Sequence, residues 1–197
     1  MENVHPYYAT LPTETLALIR TLDTPIKVQK FLVKEIAYNF EPDGVETCRN
    51  LLQVLQHRVA HCFEGALFAA SVLMYHGYPP LIVHMDAERG DINHNLFVYW
   101  RGDKVGSIGQ SRDENLRGRE PIYPSLRELM LAYHPFYYHY YTQRKDDLTL
   151  AGFSMPIDLR FFGINWVTGN DLFPIYNFLD KPPFVRLDNG KIYFPQE

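Results

Sequence analysis

Cys62 sits at the start of an apolar stretch, in the segment AHCFEGA, and the chain holds one other cysteine, Cys48. A cysteine in the first turn of a helix meets unpaired backbone N–H groups and the positive end of the helix dipole. Both favour the thiolate, the nucleophilic form of the side chain. The same N–H groups can hold the oxyanion that forms when a carbonyl is attacked. Glu64 in that turn opposes this, because a nearby carboxylate destabilises a thiolate. Cys48 reads differently: Val45, Cys48, Leu51, Leu52 and Leu55 share one helical face, and a free cysteine there packs as a small hydrophobe.

A thiol nucleophile needs a base. Of the eight histidines, His5, His134 and His139 fall in terminal or aromatic-rich stretches with no partner in reach by sequence. His61 precedes the cysteine, so its side chain is expected to point elsewhere. His84 lies inside an apolar strand and reads as a satisfied core histidine. His94 begins its strand at a loop edge, where a ring can face a cleft, and it is the expected base. The hairpin that follows proposes a neighbour for it. If Gly102 and Asp103 form a two-residue loop, Arg101 pairs with Lys104, and the same register carried on sets His94 opposite Ser111. A three-residue loop brings Gln110 opposite instead. Ser111 is thus the expected orienting group for the imidazole, with Gln110 and the upstream acid Asp91 as alternatives. For the oxyanion, the backbone N–H of Cys62 is the expected donor and Gln56 a further candidate.

These residues need elements to hold them. Thr24 followed by Pro25 marks a helix start, and the segment after it has apolar residues at helical spacing until Glu41 to Gly44 breaks it. A second helix is expected over residues 45–56 and a third over about 62–75, ended by Gly77 and Pro79-Pro80. The period then changes to two, predicting strands over 81–85 and 94–100 and a returning strand over 104–111. Ser125 followed by Glu128 predicts a capped helix, which Pro135 ends. A terminal hairpin is expected around Asp188-Asn189-Gly190. Helices first and an antiparallel sheet afterwards give an α+β class.

With 197 residues, the chain is expected to form one domain. Its formal charge of −4, without a basic block, makes nucleic acid and anionic membrane poor partners. The amino-terminal MENVHPYY does not read as a signal peptide, and no apolar run approaches the ~20 residues of a membrane span. Two cysteines are too few for a disulfide framework, so a cytoplasmic location is expected. No cofactor or metal is expected. His57 and His61 have the spacing of a metal-binding helix but no glutamate follows His57, and Asp91, Asn93 and Asn95 lack the glycine and glutamate that complete a calcium loop. Arg101-Gly102-Asp103 reads as a hairpin tip. The aromatic run 136–141 reads as packing beneath an irregular tail.

Taken in order, these stretches resemble the transglutaminase-like superfamily. HCFEGALFAASVLMYHGYPP is similar to its cysteine helix and HNLFVYWRGDKVGSIGQSR to its histidine hairpin. DINH, VGSIGQS, REPIYPSLRELMLAYH and SMPIDLRFF are similar to stretches of poorly characterised bacterial transglutaminase-like proteins, and the resemblance covers residues 25–167. It implies a papain-like core over 25–135, with the aromatic-rich segment 136–197 packed on it. It also implies Cys62 as nucleophile and His94 as general base. Where the family has an aspartate, this chain offers Gly109, Gln110 or Ser111. The implied activity is thiol-dependent acyl transfer through a thioester, either amide or peptide hydrolysis or transamidation, on a substrate carrying an amide or thioester. The alternatives are a catalytically silent binding or scaffold protein, favoured by the missing acid, and a small-molecule N-acyltransferase like the arylamine acetyltransferases.

Overall fold

The computed structural model describes residues 6–41, 45–88 and 90–194. Two helices lead, α1 (Thr13–Thr21) and α2 (Pro25–Glu35), the second entered through Thr24 and Pro25 as expected. It stops earlier than the apolar spacing suggests. Ile36 turns extended, and Gln110 Nε2 donates to the carbonyls of Leu32 and Ile36 at 3.2 and 2.6 Å, satisfying acceptors at the helix end. The chain continues into a two-residue strand, β1 (Ala37–Tyr38). Of the expected break after this helix, residues 42–44 lie outside the described residues.

The helix expected over 45–56 begins only at Leu51, giving α3 (Leu51–His57). Asn50 decides this. Its side chain accepts from Gln53 N at 2.9 Å while Gln53 Oε1 accepts from Asn50 N at 3.0 Å, a reciprocal cap that holds Asn50 extended and starts the helix after it. Cys48 is therefore half-buried in the irregular stretch before α3, not on a helical face. Arg58, at φ 56°, closes α3, and β2 (Val59–Ala60) pairs in parallel with β1. This short ladder delivers the chain to α4 (Cys62–Tyr75).

All of α4 from Cys62 to Leu73 is buried, Glu64 and Ser71 included, so it is the central helix of the molecule. Gly77, at φ 86°, ends it as expected. The chain then enters a seven-stranded sheet. Strands β3 (Leu81–Ala87), β4 (His94–Arg101) and β5 (Lys104–Ile108) form an antiparallel meander. The helix α5 (Leu126–Tyr133) follows, with Ser125 Oγ accepting from Glu128 N at 3.2 Å. The carboxy-terminal part adds β6 (Leu150–Ser154), β7 (Ile157–Asp158), α6 (Phe173–Leu179), β8 (Phe184–Arg186) and β9 (Ile192–Tyr193). The order is β5-β4-β3-β6-β8-β9, with β7 also on β3, so residues beyond 136 hydrogen-bond directly along the central strand. β8 and β9 form the terminal hairpin that Asp188-Asn189-Gly190 predicted.

The class is α+β. Alternation along the strands divides the core in two. Ile82 and Phe97 face α4 in one cluster, while Val83, Met85, Leu96 and Val98 face α5 in the other. Among the described residues no helix is long and apolar enough to cross a membrane.

Candidate active site

Cys62 occupies the first position of α4, where its own N–H has no acceptor within the helix. The side chain is 9% exposed, at the floor of a cleft. Its sulfur lies 4.0 Å from the Asn93 carbonyl oxygen and 3.9 Å from Asn95 Nδ2, both at the start of β4. His94 lines the larger arm of the cleft with Cys62, and His61 the smaller. Burial, the largest influence, pushes the thiol up, but the two imidazoles and their charges outweigh it and hold the Cys62 thiol well below the ordinary range. Cys48, by contrast, is pushed up to about 12, first by burial and then by the Glu64 and Glu41 carboxylates.

The orientation of His94 is set by main chain. Its Nε2 lies 2.9 Å from the Leu116 carbonyl oxygen. A carbonyl can only accept, so Nε2 carries the proton and Nδ1 is the nitrogen left to face the thiol as a base. Ser111 does not fill this role. The hairpin has the expected Arg101↔Lys104 register, but the ladder ends at Phe97↔Ile108 and the chain turns away at Gly109. Ser111 lines the cleft and its Oγ accepts from Asp113 N at 3.1 Å, tying the loop and not the imidazole. Gln110 is committed to the end of α2. Asp91 accepts from Tyr140 N at 2.7 Å and from Thr149 Oγ1, so it fastens the loop between α5 and β6. Gln56 is exposed on α3 and lines neither part of the cleft.

His61, expected to point elsewhere, instead lines the smaller arm of the cleft together with Cys62. As the residue capping α4 it is buried, and its Nε2 lies 2.9 Å from the Thr47 carbonyl and 3.6 Å from both Glu41 Oε1 and Glu64 Oε1. Burial works against its charged form. The hydrogen bond and charge of Cys62, the Glu64 carboxylate and the Thr47 carbonyl together raise it to about 9. These partners favour the charged form of the imidazole on the His61 side of the cleft. Glu64 is less of an opponent to the thiolate than its position suggests. Its carboxylate is spent on the cap, accepting from His61 N at 3.0 Å and Arg49 N at 2.9 Å, and the Arg49 guanidinium sits 3.3 Å away.

Two cavities meet at Cys62. One, of about 640 Å³, lies on the His94 side and includes Ser111, Leu116, Tyr137 and Tyr138 in its walls. The other, of about 330 Å³, lies on the His61 side with His84, Asn95, Tyr176 and Asp180. Tyr38, Phe40, Ile92, Asn93 and Tyr140 border both, so they are the two arms of one cleft with the sulfur between them. The aromatic run 136–141 is therefore wall as well as packing. Tyr137 is buried with its hydroxyl donating to the Ile92 carbonyl at 2.7 Å, and the Arg112 guanidinium stacks 3.8 Å over the Tyr140 ring. His84, read as a satisfied core histidine, is buried, but its Nδ1 meets Asn95 Oδ1 at 3.0 Å and its Nε2 lies 3.1 Å from Asp180 Oδ1.

The arrangement offers a depressed thiol, a base of defined tautomer and space for a substrate on either side. No protein-family model matches the chain, and a search of curated proteins finds no match.

Proposed function

We propose that this chain is a thiol-dependent acyl-transfer enzyme with a papain-like, transglutaminase-like core, acting on an amide or thioester. The observation that carries the reading is the Cys62 sulfur at a helix amino terminus, in one cleft with His94, whose Nε2 is held by the Leu116 carbonyl. The thiol proton passes to His94 Nδ1 and the sulfur attacks the substrate carbonyl carbon. The tetrahedral adduct collapses to a thioester, and Nδ1–H returns the proton to the leaving amine or thiol. Water or an amine entering the cleft then takes the acyl group, with His94 accepting its proton and returning it to the sulfur. A charged His61 favours the thiolate form between turnovers.

The scaffold reading drew on the missing acid. Supporting an active pair instead is the main-chain acceptor on His94 Nε2, which fixes the tautomer as a neutral side-chain amide would, though it stabilises imidazolium less than a carboxylate. The test is acylation by 4-nitrophenyl acetate. Nitrophenolate release, with the acetyl group found on Cys62 by mass spectrometry, is expected from the wild type and is lost in Cys62→Ala and His94→Ala. Release that is unchanged in Cys62→Ala sinks the proposal.

A further inference from the structure

An attacked carbonyl develops a negative charge on oxygen, and a site that accelerates the attack must hold that charge with donors already in place. One donor is the Cys62 backbone N–H. A second, independent feature stands opposite it. Asn95, 3% exposed, presents Nδ2 to the Cys62 sulfur at 3.9 Å. At that spacing the oxygen of an acyl group carried on the sulfur would come within N–H···O reach of Nδ2, roughly 2.7–3.1 Å.

His84 and Asn95 are cross-strand partners on the α4 face of the sheet, and His84 Nδ1 lies 3.0 Å from Asn95 Oδ1. With Oδ1 against that ring nitrogen, the NH₂ end of the amide faces the Cys62 sulfur. On the far side of His84, Nε2 is at ion-pair distance from Asp180, 3.1 Å, and Asn93 Nδ2 donates to the same Asp180 oxygen at 3.2 Å. Asp180 caps α6, so the carboxy-terminal segment braces the imidazole that braces the amide.

We infer that Asn95 is the side-chain oxyanion donor of this site, with His84 and Asp180 as its positioning residues. The inference rests on the thiol reading above. In the acylation step the sulfur–carbon bond forms while the carbonyl π pair moves to oxygen, where Cys62 N–H and Asn95 Nδ2–H receive it. The pair then returns to the carbon–oxygen bond as the leaving group departs with its own electrons.

Two reactions of the same sulfur separate this role from any other. Acylation by 4-nitrophenyl acetate passes through an oxyanion, whereas alkylation by iodoacetamide displaces iodide at a saturated carbon and makes none. In Asn95→Ala the acylation rate is expected to fall by about 10²–10³, with the alkylation rate, taken on its high-pH plateau, little changed. Asn95→Asp keeps the acceptor for His84 and loses the donor, so it shows the same split and guards against a variant that fails to fold. Asp180→Ala, at the exposed end of the relay, lowers acylation less than Asn95→Ala and spares alkylation. Acylation that is unchanged in Asn95→Ala, or acylation and alkylation that fall together in both Asn95 variants, overturns the inference alone. A wild-type protein that releases no nitrophenolate overturns the thiol reading and this inference with it.

Discussion

His94 takes its orientation from Leu116 through a main-chain atom: Nε2 lies 2.9 Å from the Leu116 carbonyl oxygen. A backbone acceptor does for this imidazole what a carboxylate or amide side chain does elsewhere, without any residue type to announce it. Gly109 stands beside the pair, since a Cβ there would lie 3.6 Å from both His94 Nε2 and the Leu116 oxygen.

Because the acceptor is a carbonyl, the side chain of residue 116 is dispensable for chemistry. In Leu116→Ala, acylation of Cys62 by 4-nitrophenyl acetate is expected to stay within about fivefold of wild type, under ~1 kcal/mol of barrier. The same assay on His94→Ala shows the loss that removal of the base brings. Equal losses in the two variants would mean that the Leu116 side chain, not its carbonyl, holds the ring.

The two cysteines are expected to separate cleanly in alkylation. Cys62 is held low by two imidazoles and Cys48 is pushed up to about 12. Iodoacetamide at neutral pH therefore modifies Cys62 first, with an apparent pKa below the unperturbed ~8.5, and Cys48 reacts only once the protein is unfolded. Peptide mapping of the labelled protein reads this directly.

His61→Gln keeps a donor near the Thr47 carbonyl and removes the charge. The Cys62 alkylation profile is expected to move to higher pH by about one unit or more, equivalent to at least ~1.4 kcal/mol. The sign for stability follows from a folded value raised from 6.5 to about 9. The His61 contribution is full below about pH 6.5 and is lost as pH rises through about 9. Cys62, held low in the same fold, carries the opposite sign, so the two offset across most of that window and urea midpoints in the wild type should stay near level until about pH 8.5.

Glu64 is buried with no exposure and answers Arg49, whose side chain is 20% exposed, as well as two backbone N–H groups. Removing one partner of such a pair leaves the other uncompensated, so Glu64→Ala is expected to cost about 3–5 kcal/mol in denaturant unfolding. It also frees the 47–50 segment from the start of α4. A loss under ~1 kcal/mol would show that the pair behaves as an exposed one.

Much of the frame was legible in the residues themselves. Apolar continuity from Phe63 to Met74, with Gly77 free to adopt a positive φ, defines α4 and puts Cys62 in its first turn. Gly102 with its neighbours defines the hairpin register at Arg101↔Lys104. These are local signals, decided by periodicity and by turn chemistry over a few residues. The same reading failed at the ends of elements. The helix expected from residue 45 yields to the Asn50 cap, a local signal, and the ladder expected to reach Ser111 yields at Gly109, whose N–H and carbonyl are both taken by the distant Gln29 side chain.

What surrounds the sulfur was decided by tertiary structure. The direction of the His61 ring depends on the Thr47 carbonyl and on Glu41, both from the chain ahead of α3. The pairing of His84 with Asn95 depends on the β3–β4 register, which a long irregular loop does not dictate. Tyr140, Tyr176 and Asp180 arrive from the far end of the chain. Leu116 was invisible for a simpler reason: every residue carries a carbonyl, and only the fold chooses which one meets the imidazole. Sequence alone determined that a thiol stands in the first turn of the central helix. The packing of separate segments determined which groups charge it, aim at it and enclose it, because those contacts are made through space by atoms that sequence spacing does not bring together.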